Sequence, residues 1–340
     1  MPKTANEHDG VASSDRLEIA KTHKLYIAGK FPRTESGRTI EVCAGNGRVI
    51  AHVCRASRKD LRTAVEAARG ALPAWSRSTP LLRGQILYRI AEMMEGKRLE
   101  LRDAIEAQRT SRDTQRTSSS KKASPAARKK ADKKSSKKAT SRPAAGRTAA
   151  SAPHAALDEV HAAIDRVVHY AGWADKYAQV LGCNNPVSGP YYNFTIPEPT
   201  GVVALVASDD APLLSLVSLL APALCAGNAT IALGAHTGHL AASILAEACA
   251  TGDVPAGVVN ILTGQRDELV PEIASHRDID AALIANPSRD DEAALREGTA
   301  DNMKRVIVCR ASDWFDADFD GPWRIEPLVE LKTIWHPSGV

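Results

Sequence analysis

Two pairs of aspartates are the first side chains whose types and spacing could carry chemistry. Asp209 and Asp210 follow one short apolar run, and Asp290 and Asp291 follow another. Paired carboxylates can act in acid–base catalysis or bind a metal ion, but they are also common at the first residues of helices. We prefer the interpretation that all four are helix-capping residues.

A thiol is the second group that could carry chemistry. Cys309 directly follows the apolar segment 304–308, and nothing in its surroundings predicts the activating environment that a nucleophilic cysteine needs. The sequence contains no CxxC pair and no histidine at zinc-ligand spacing. We therefore predict no metal site and reduced, mostly buried cysteines, at Cys43, Cys54, Cys183, Cys225, Cys249 and Cys309.

The charge of the chain is divided unevenly. The 340 residues carry a net charge of +4, yet Arg109 to Arg147 contain 14 basic and two acidic residues, a local +12. The remaining 30 basic and 38 acidic residues give −8. The segment 109–152 has almost no large apolar residue, so it is predicted to be disordered. It is either a solubilising linker, which we prefer, or a tether that holds nucleic acid or polyphosphate by counterion release.

Helices and strands around this insert are predicted from hydrophobic spacing. Before it, strand-like segments at 25–31 (with a glycine turn), 39–42 and 49–53 predict a small β meander. Apolar residues at helical spacing predict helices over 59–75 and 81–108. After it, we predict one long helix over 155–181, then a strand over 191–196.

From residue 199 the chain alternates short apolar strands with helices. Such continuous apolar strands are typical of a parallel sheet covered on both faces, as in a doubly wound nucleotide-binding domain. The predicted strands are 201–207, 229–233, 258–262 and 281–285, with helices starting at 212, around 240 and near 268. The fold class is therefore α/β, and a nucleotide would bind at the carboxyl ends of these strands.

Several segments resemble the aldehyde dehydrogenases in order and spacing. They are LYIAGKF, AVEAARGALPAWS, HYAGWADK, EPTGVVALV, APLLSLVSLLAPALCAGNATIAL, DVPAGVVNILTG and SHRDIDAALI, within 24–108 and 155–285. The resemblance implies a Rossmann-like nucleotide-binding domain with N-terminal helices and a β-arm for oligomerisation. The implied domain boundaries are 1–23 (flexible), 24–108, 109–152 (the insert), 153–308 with an arm strand at 189–199, and 309–340 with a C-terminal oligomerisation strand.

The positions that match the family's functional motifs differ from those motifs. Where the family has a proline-tryptophan-asparagine turn, whose asparagine stabilises the oxyanion, this sequence has Ser208, Asp209 and Asp210. A carboxylate cannot donate that hydrogen bond, which in such sites contributes about 3 kcal/mol. We expect oxyanion stabilisation to be lost at Asp210.

The two nucleotide motifs are also altered. The lysine and glutamate expected to bind the adenosine ribose are replaced by Leu233 and His236. The pyrophosphate motif is replaced around Asn286, where a proline follows and acidic residues oppose a phosphate, with Arg289 only partly compensating. No confident cofactor-binding residue remains, and NAD(P) binding, if retained, is expected to be weakened.

The family's general base and nucleophilic cysteine have no counterpart downstream of residue 308. The segment 327–337 instead resembles the strand with which these enzymes end, and with 189–199 it predicts a protruding arm. We expect a truncated, non-catalytic member that joins a full-length aldehyde dehydrogenase paralogue or itself through 189–199 and 327–337.

The alternatives are a weak or altered NAD(P)-linked oxidoreductase and a polyanion tether through 109–147. The lack of a long apolar run or signal-like N-terminus predicts no membrane association and a cytoplasmic location.

Overall fold

A computed structural model describes residues 19–44, 46–109 and 154–338. Most of the predicted flexible N-terminus and nearly all of the predicted insert lie outside the described residues. Within those residues the chain has an α/β fold with one five-stranded parallel sheet and two three-stranded sheets, which confirms the predicted fold class.

The small N-terminal sheet differs from the predicted meander. Its strands are β1 (Lys21–His23), β2 (Thr39–Cys43) and β3 (Val49–Cys54), in the order β1-β3-β2, and β1 runs parallel to β3. The segment 25–31 contains the predicted glycine turn, but it forms only isolated β-bridges, from Tyr26 to Ile261 and from Ile27 to Lys30, and no strand of the sheet. Ile27 and Lys30 exchange backbone hydrogen bonds across Ala28 and Gly29, which both have positive φ. Glycine adopts that conformation readily, which lets the chain reverse there.

Two of the predicted helices are each divided. The segment 81–108 forms α2 (Pro80–Gly96) and α3 (98–109), because Gly96 is a poor helix former and the Lys97 N–H closes a tight turn onto Met94. The segment 155–181 forms α4 (Ala156–Trp173) and α5 (Tyr177–Leu181), separated by a turn in which Lys176 Nζ donates to the Gly172 carbonyl. The first helix, α1 (Arg58–Ser76), begins with a capping box between Ser57 and Asp60.

The parallel sheet has the strand order β10-β9-β6-β7-β8. Its strands and helices alternate along the chain as β6 (Val202–Val206), α6 (Pro212–Ala226), β7 (Ala229–Leu233), α7 (His239–Thr251), β8 (Val259–Leu262), α8 (Arg266–Ser275), β9 (Ala281–Ala285), α9 (Arg289–Thr299) and β10 (Arg305–Cys309). Strands β6, β7, β8 and β9 are fully buried, as their mostly apolar sequences predict.

Two apolar layers cover the parallel sheet. Val203 and Leu205 of β6 pack in the layer that includes α2, α4, α6 and α7, whereas Val202, Ala204 and Val206 pack in the layer with α1, α8 and α9. Alternate residues of one strand therefore serve opposite faces, as expected for a doubly wound sheet. Within the described residues no helix is both long and apolar enough to cross a membrane.

A third sheet forms an arm with the order β11-β5-β4. Its strands are β4 (Cys183–Asn185), β5 (Tyr191–Pro199) and β11 (Val329–Pro337), and β11 pairs antiparallel with β5 along its whole length. The predicted strand near 191 and the predicted pairing of the two arm segments are both present. Because β11 is an edge strand, one side of its backbone has no strand partner in the described chain.

Candidate functional site

The switch point of the parallel sheet lies between β6 and β9. From β6 the chain moves outward through β7 and β8 on one side and returns to form β9 and β10 on the other. Open α/β sheets bind their ligands in the crevice at the carboxyl ends of the strands at such a point. A ligand-binding site is therefore expected among the residues that follow β6 and β9.

Ser208, Asp210 and Asn286 come together at this crevice. Ser208 Oγ donates to Asp210 Oδ2 at 3.1 Å, and Asn286 Nδ2 donates to the same carboxylate oxygen at 3.0 Å. Asp210 thus binds neighbouring side chains and is not a helix cap, so the capping interpretation is wrong for this residue. An ionised carboxylate at this place can accept hydrogen bonds but cannot donate one.

Asn286 also fixes the segment that follows β10. Its Oδ1 accepts from the Ala311 N–H at 2.8 Å, and its Nδ2 donates to the Ala311 carbonyl at 3.0 Å. The backbone of Asn286 has φ of 41°, a left-handed conformation that asparagine tolerates better than most residues. The side-chain amide of Asn286 therefore forms hydrogen bonds with Asp210 on one side of the crevice and with the Ala311 backbone on the other.

We expect Asn286→Ala to destabilise the fold by about 2–3 kcal/mol, since it removes three hydrogen bonds and alanine tolerates a positive φ less well than asparagine does. Asn286→Gly removes the same hydrogen bonds without the backbone strain, so its loss should be smaller by about 1 kcal/mol. Urea unfolding of both variants measures the difference. Equal stabilities for the wild type and Asn286→Ala would contradict this account of the crevice.

A short turn and two histidines follow the carboxyl end of β7. Leu233 is buried, whereas the exposed ring of His236 meets the ring of His239 edge-on at 5.6 Å. Burial lowers the pKa of His239 to about 4, so this histidine is neutral near pH 7. Asp209 accepts from the Thr237 N–H at 3.2 Å and so connects the end of β6 to the short turn His236–Gly238.

The N-terminus of α9 is occupied by an aspartate of the chain. Ser288 and Asp291 form a capping box, and Asp290, Asp291 and Glu292 all lie in the first turn. The capping interpretation is confirmed for Asp291, and Asp290 lies beside it in the same turn. Arg289 is the first residue of α9, but three carboxylates lie in the same turn and would repel a phosphate bound at this end of the helix.

The thiols of the parallel-sheet domain are buried and protonated. Burial raises the pKa of Cys225 and Cys249 to about 12, and it raises the pKa of Cys309 despite the guanidinium of Arg324 nearby. Four of the six cysteines are buried, as predicted, and none of the six forms a disulfide within the described residues. No group of three or more metal-ligating side chains occurs in the described part of the chain.

Glu159 is a buried charge that the sequence analysis missed. It accepts from the N–H groups of Leu213 and Leu214 at the start of α6, and it forms an ion pair with Arg109 at 2.5 Å. Arg109 also donates to the His154 carbonyl at 2.8 Å. Burial raises the pKa of Glu159, while Arg109 and the two N–H groups oppose that shift. The helix terminus is therefore filled by the chain's own carboxylate.

Arg166 is a second buried charge that was missed. It donates to Ser218 Oγ at 2.6 Å, the Trp314 carbonyl at 3.1 Å and the Asp320 carboxylate at 2.9 Å. These bonds hold the segment 310–328, which leads from β10 to β11, against α4 and α6. Glu159 and Arg166 both lie on the apolar stripe of α4. A charged residue on such a stripe is the feature of the sequence that could have predicted a buried charge.

The fold is that of an α/β protein of the nucleotide-binding type. At the crevice where such proteins bind their ligands, Ser208, Asp210 and Asn286 form hydrogen bonds with one another. The profile described as the Aldehyde dehydrogenase family matches residues 32–132 and 144–308, and the chain belongs to that family. Retinal dehydrogenase 2 of Mus musculus is 30% identical over 296 residues, covering 86% of this chain and 49% of the relative. The putative aldehyde dehydrogenase DhaS of Bacillus subtilis (strain 168) is 28% identical over 298 residues, covering 86% and 52%.

Solved structures agree with the sequence relatives. The NAD+ complex of an aldehyde dehydrogenase from Bacillus cereus has a TM-score of 0.68 and 25% identity, covering 85% of this chain and 51% of that one. PnpE from Pseudomonas sp. WBC-3 shares the fold with a TM-score of 0.68 at 23% identity. The chain spans about half the length of the curated relatives that it matches.

Proposed function

We propose that this chain is a non-catalytic subunit that assembles through its arm with a full-length NAD-dependent aldehyde dehydrogenase. The observation that carries the proposal is the short path from the parallel sheet to the arm. Only residues 310–328 separate β10 from β11, and they contain turns and short 3-10 helices. The resemblance implies that a catalytic region of the family would stand at this place in the chain.

The occupied crevice supports the non-catalytic part of the proposal. Asp210 places a carboxylate where the oxyanion would be stabilised, and Asn286 is bound to Asp210 and Ala311. The pKa values of the thiols at Cys225, Cys249 and Cys309 are raised, which opposes thiolate formation. NAD(P) would bind weakly at best, because Leu233 and His236 offer the ribose no carboxylate or ammonium.

The arm supports the assembly part of the proposal. Large apolar side chains are exposed on its central strand β5 and its edge strand β11, at Tyr191, Tyr192, Ile196, Leu331, Ile334 and Trp335. The unpaired edge of β11 can add a strand of another sheet, which would satisfy its backbone groups and cover these side chains. We infer that this assembly takes place in the cytoplasm.

An activity assay tests the non-catalytic part of the proposal. The purified chain, free of any other aldehyde dehydrogenase, is expected to form no NADH or NADPH above background with a panel of aliphatic and aromatic aldehydes. Turnover that survives further purification and follows the chain through each column would contradict the proposal. That outcome would favour the alternative of a weak or altered NAD(P)-linked oxidoreductase.

A second function is favoured by the position of the basic insert. Arg109 donates to the carbonyl of His154, so the two described residues that flank 110–153 are in contact. The local charge of +12 over 109–147 is therefore attached to the folded part at one place. We propose that this segment tethers the assembly to nucleic acid or another polyphosphate.

Replacing residues 112–151 with a short Gly-Ser linker should leave the melting temperature unchanged, because Arg109 and His154 remain in place. Affinity for a fluorescent DNA duplex should fall at least tenfold, and the steep salt dependence of binding should disappear. Fluorescence anisotropy at several salt concentrations measures both. If the shortened chain binds DNA with the original salt dependence, the insert is only a linker.

A further inference from the structure

Helix α2 is apolar on its outer side as well as on its inner side. Ile86, Leu87 and Ile90 are buried in the core, while Leu81, Leu82 and Tyr88 are 65%, 44% and 52% exposed. A helix that is apolar on both sides is normally covered on both sides. Nothing in the described part of the chain covers this outer face.

The outer face of α2 borders a groove of 1010 Å³ that it shares with α4. The two helices approach closely at Gly84, where a β-carbon would lie 2.8 Å from the Ala171 carbonyl oxygen. Val168 of α4 is 39% exposed and forms part of the opposite wall. A groove lined by two helices is a common binding site for a third helix, whose anchors are spaced three and four residues apart.

The charges at the rim of the groove are nearly balanced. Arg89 forms an ion pair with Asp253, and Lys176 forms one with Asp175. Among the residues that the structure describes, none forms an ion pair with Glu92, which lies on the outer face near the end of α2. The occupant should therefore bring a positive partial charge to Glu92, and the start of a helix carries one.

We propose that the occupant is α2 of a second copy of this chain, packed antiparallel about a two-fold axis that passes between Gln85 and Tyr88. Leu81, Gln85, Tyr88 and Glu92 follow one another at steps of four, three and four residues, so they share one stripe. The antiparallel arrangement places each Glu92 at the first turn of the other copy's α2, about 17 Å along the helix from its own. Leu81 and Leu82 then enter the other copy's groove.

This interface is separate from the arm. It would join two copies of the chain while leaving both arms available to other subunits, so it does not depend on the function proposed above. The arm and the groove can be disrupted independently, because their exposed side chains lie on different elements.

Light scattering of the purified full chain tests this interface. The expected mass at tens of micromolar is twice the chain mass of 36.3 kDa. Leu82→Glu should weaken the pair at least tenfold. Leu82 lies in the first turn of α2, where its N–H donates to Thr79 Oγ1, so a glutamate there favours the helix and the variant should stay folded. Glu92→Lys should weaken the pair several-fold.

The arm variant Leu331→Glu provides the control and should leave the mass unchanged. Circular dichroism confirms that all three variants are folded. A wild-type chain that remains monomeric at these concentrations would overturn the proposal. A dimer that resists Leu82→Glu but is lost with Leu331→Glu would also overturn it and place self-association at the arm. The absence of any aldehyde dehydrogenase from the sample has no bearing on this result.

Discussion

Trp335→Asp should weaken association with a full-length aldehyde dehydrogenase by about 30-fold or more. Trp335 is 58% exposed on the edge strand β11 and meets Tyr191 edge-on at 5.8 Å. Exposed tryptophans that become buried at the centre of an interface commonly contribute 2 kcal/mol or more, and a buried carboxylate adds a desolvation cost. Biolayer interferometry with the co-purifying enzyme measures the change.

Trp323→Asp is the matched control for this prediction. Trp323 is 64% exposed in the segment between β10 and β11, outside the arm. Both variants should melt at the temperature of the wild type, since both side chains are largely in solvent. If Trp323→Asp weakens association as much as Trp335→Asp does, the arm is not the interface.

The second large effect is expected at Arg166. Arg166→Met should lower the free energy of unfolding by about 3 kcal/mol, because Ser218, Trp314 and Asp320 lose a donor and buried acceptors are left without partners. The segment 310–328 would loosen, and β11 would lose part of its support. Urea unfolding measures the stability, and the same interferometry assay should show weaker association.

Arg296→Met provides the comparison. Arg296 pairs with Glu292 four residues earlier on α9, and its side chain is 66% exposed. An exposed pair of this kind contributes little, so the expected change in stability is within about 0.5 kcal/mol. Similar losses for Arg166→Met and Arg296→Met would mean that Arg166 does not anchor the connection to the arm.

The parallel sheet was predictable because its signal is local. Continuous apolar strands such as 229–233 and 281–285 can only be buried on both faces, and the structure places them in the middle of the sheet. The helix breaks at Lys97 and at 174–176 were missed, since hydrophobic spacing continues across both and the break depends on backbone turns. The parallel pairing of β1 with β3 was missed because β1 is only three residues long.

The site was predictable in part. The positions of Ser208, Asp210 and Asn286 follow from the strands that precede them, so their meeting at one edge of the sheet could be expected. Their mutual hydrogen bonds could not, because they depend on the side-chain conformations and on Ala311, which lies in an irregular segment. The same reason applies to Glu159, whose partners Arg109, Leu213 and Leu214 are distant in the sequence.

Gentle purification of the tagged chain from its native host tests the central proposal most directly. Light scattering gives the mass of the complex, and mass spectrometry identifies what elutes with the chain. The account predicts a full-length aldehyde dehydrogenase in stoichiometric amount, lost when Trp335→Asp replaces the wild type and retained with Trp323→Asp. A chain that elutes alone or only with further copies of itself, with no aldehyde dehydrogenase present, would contradict it.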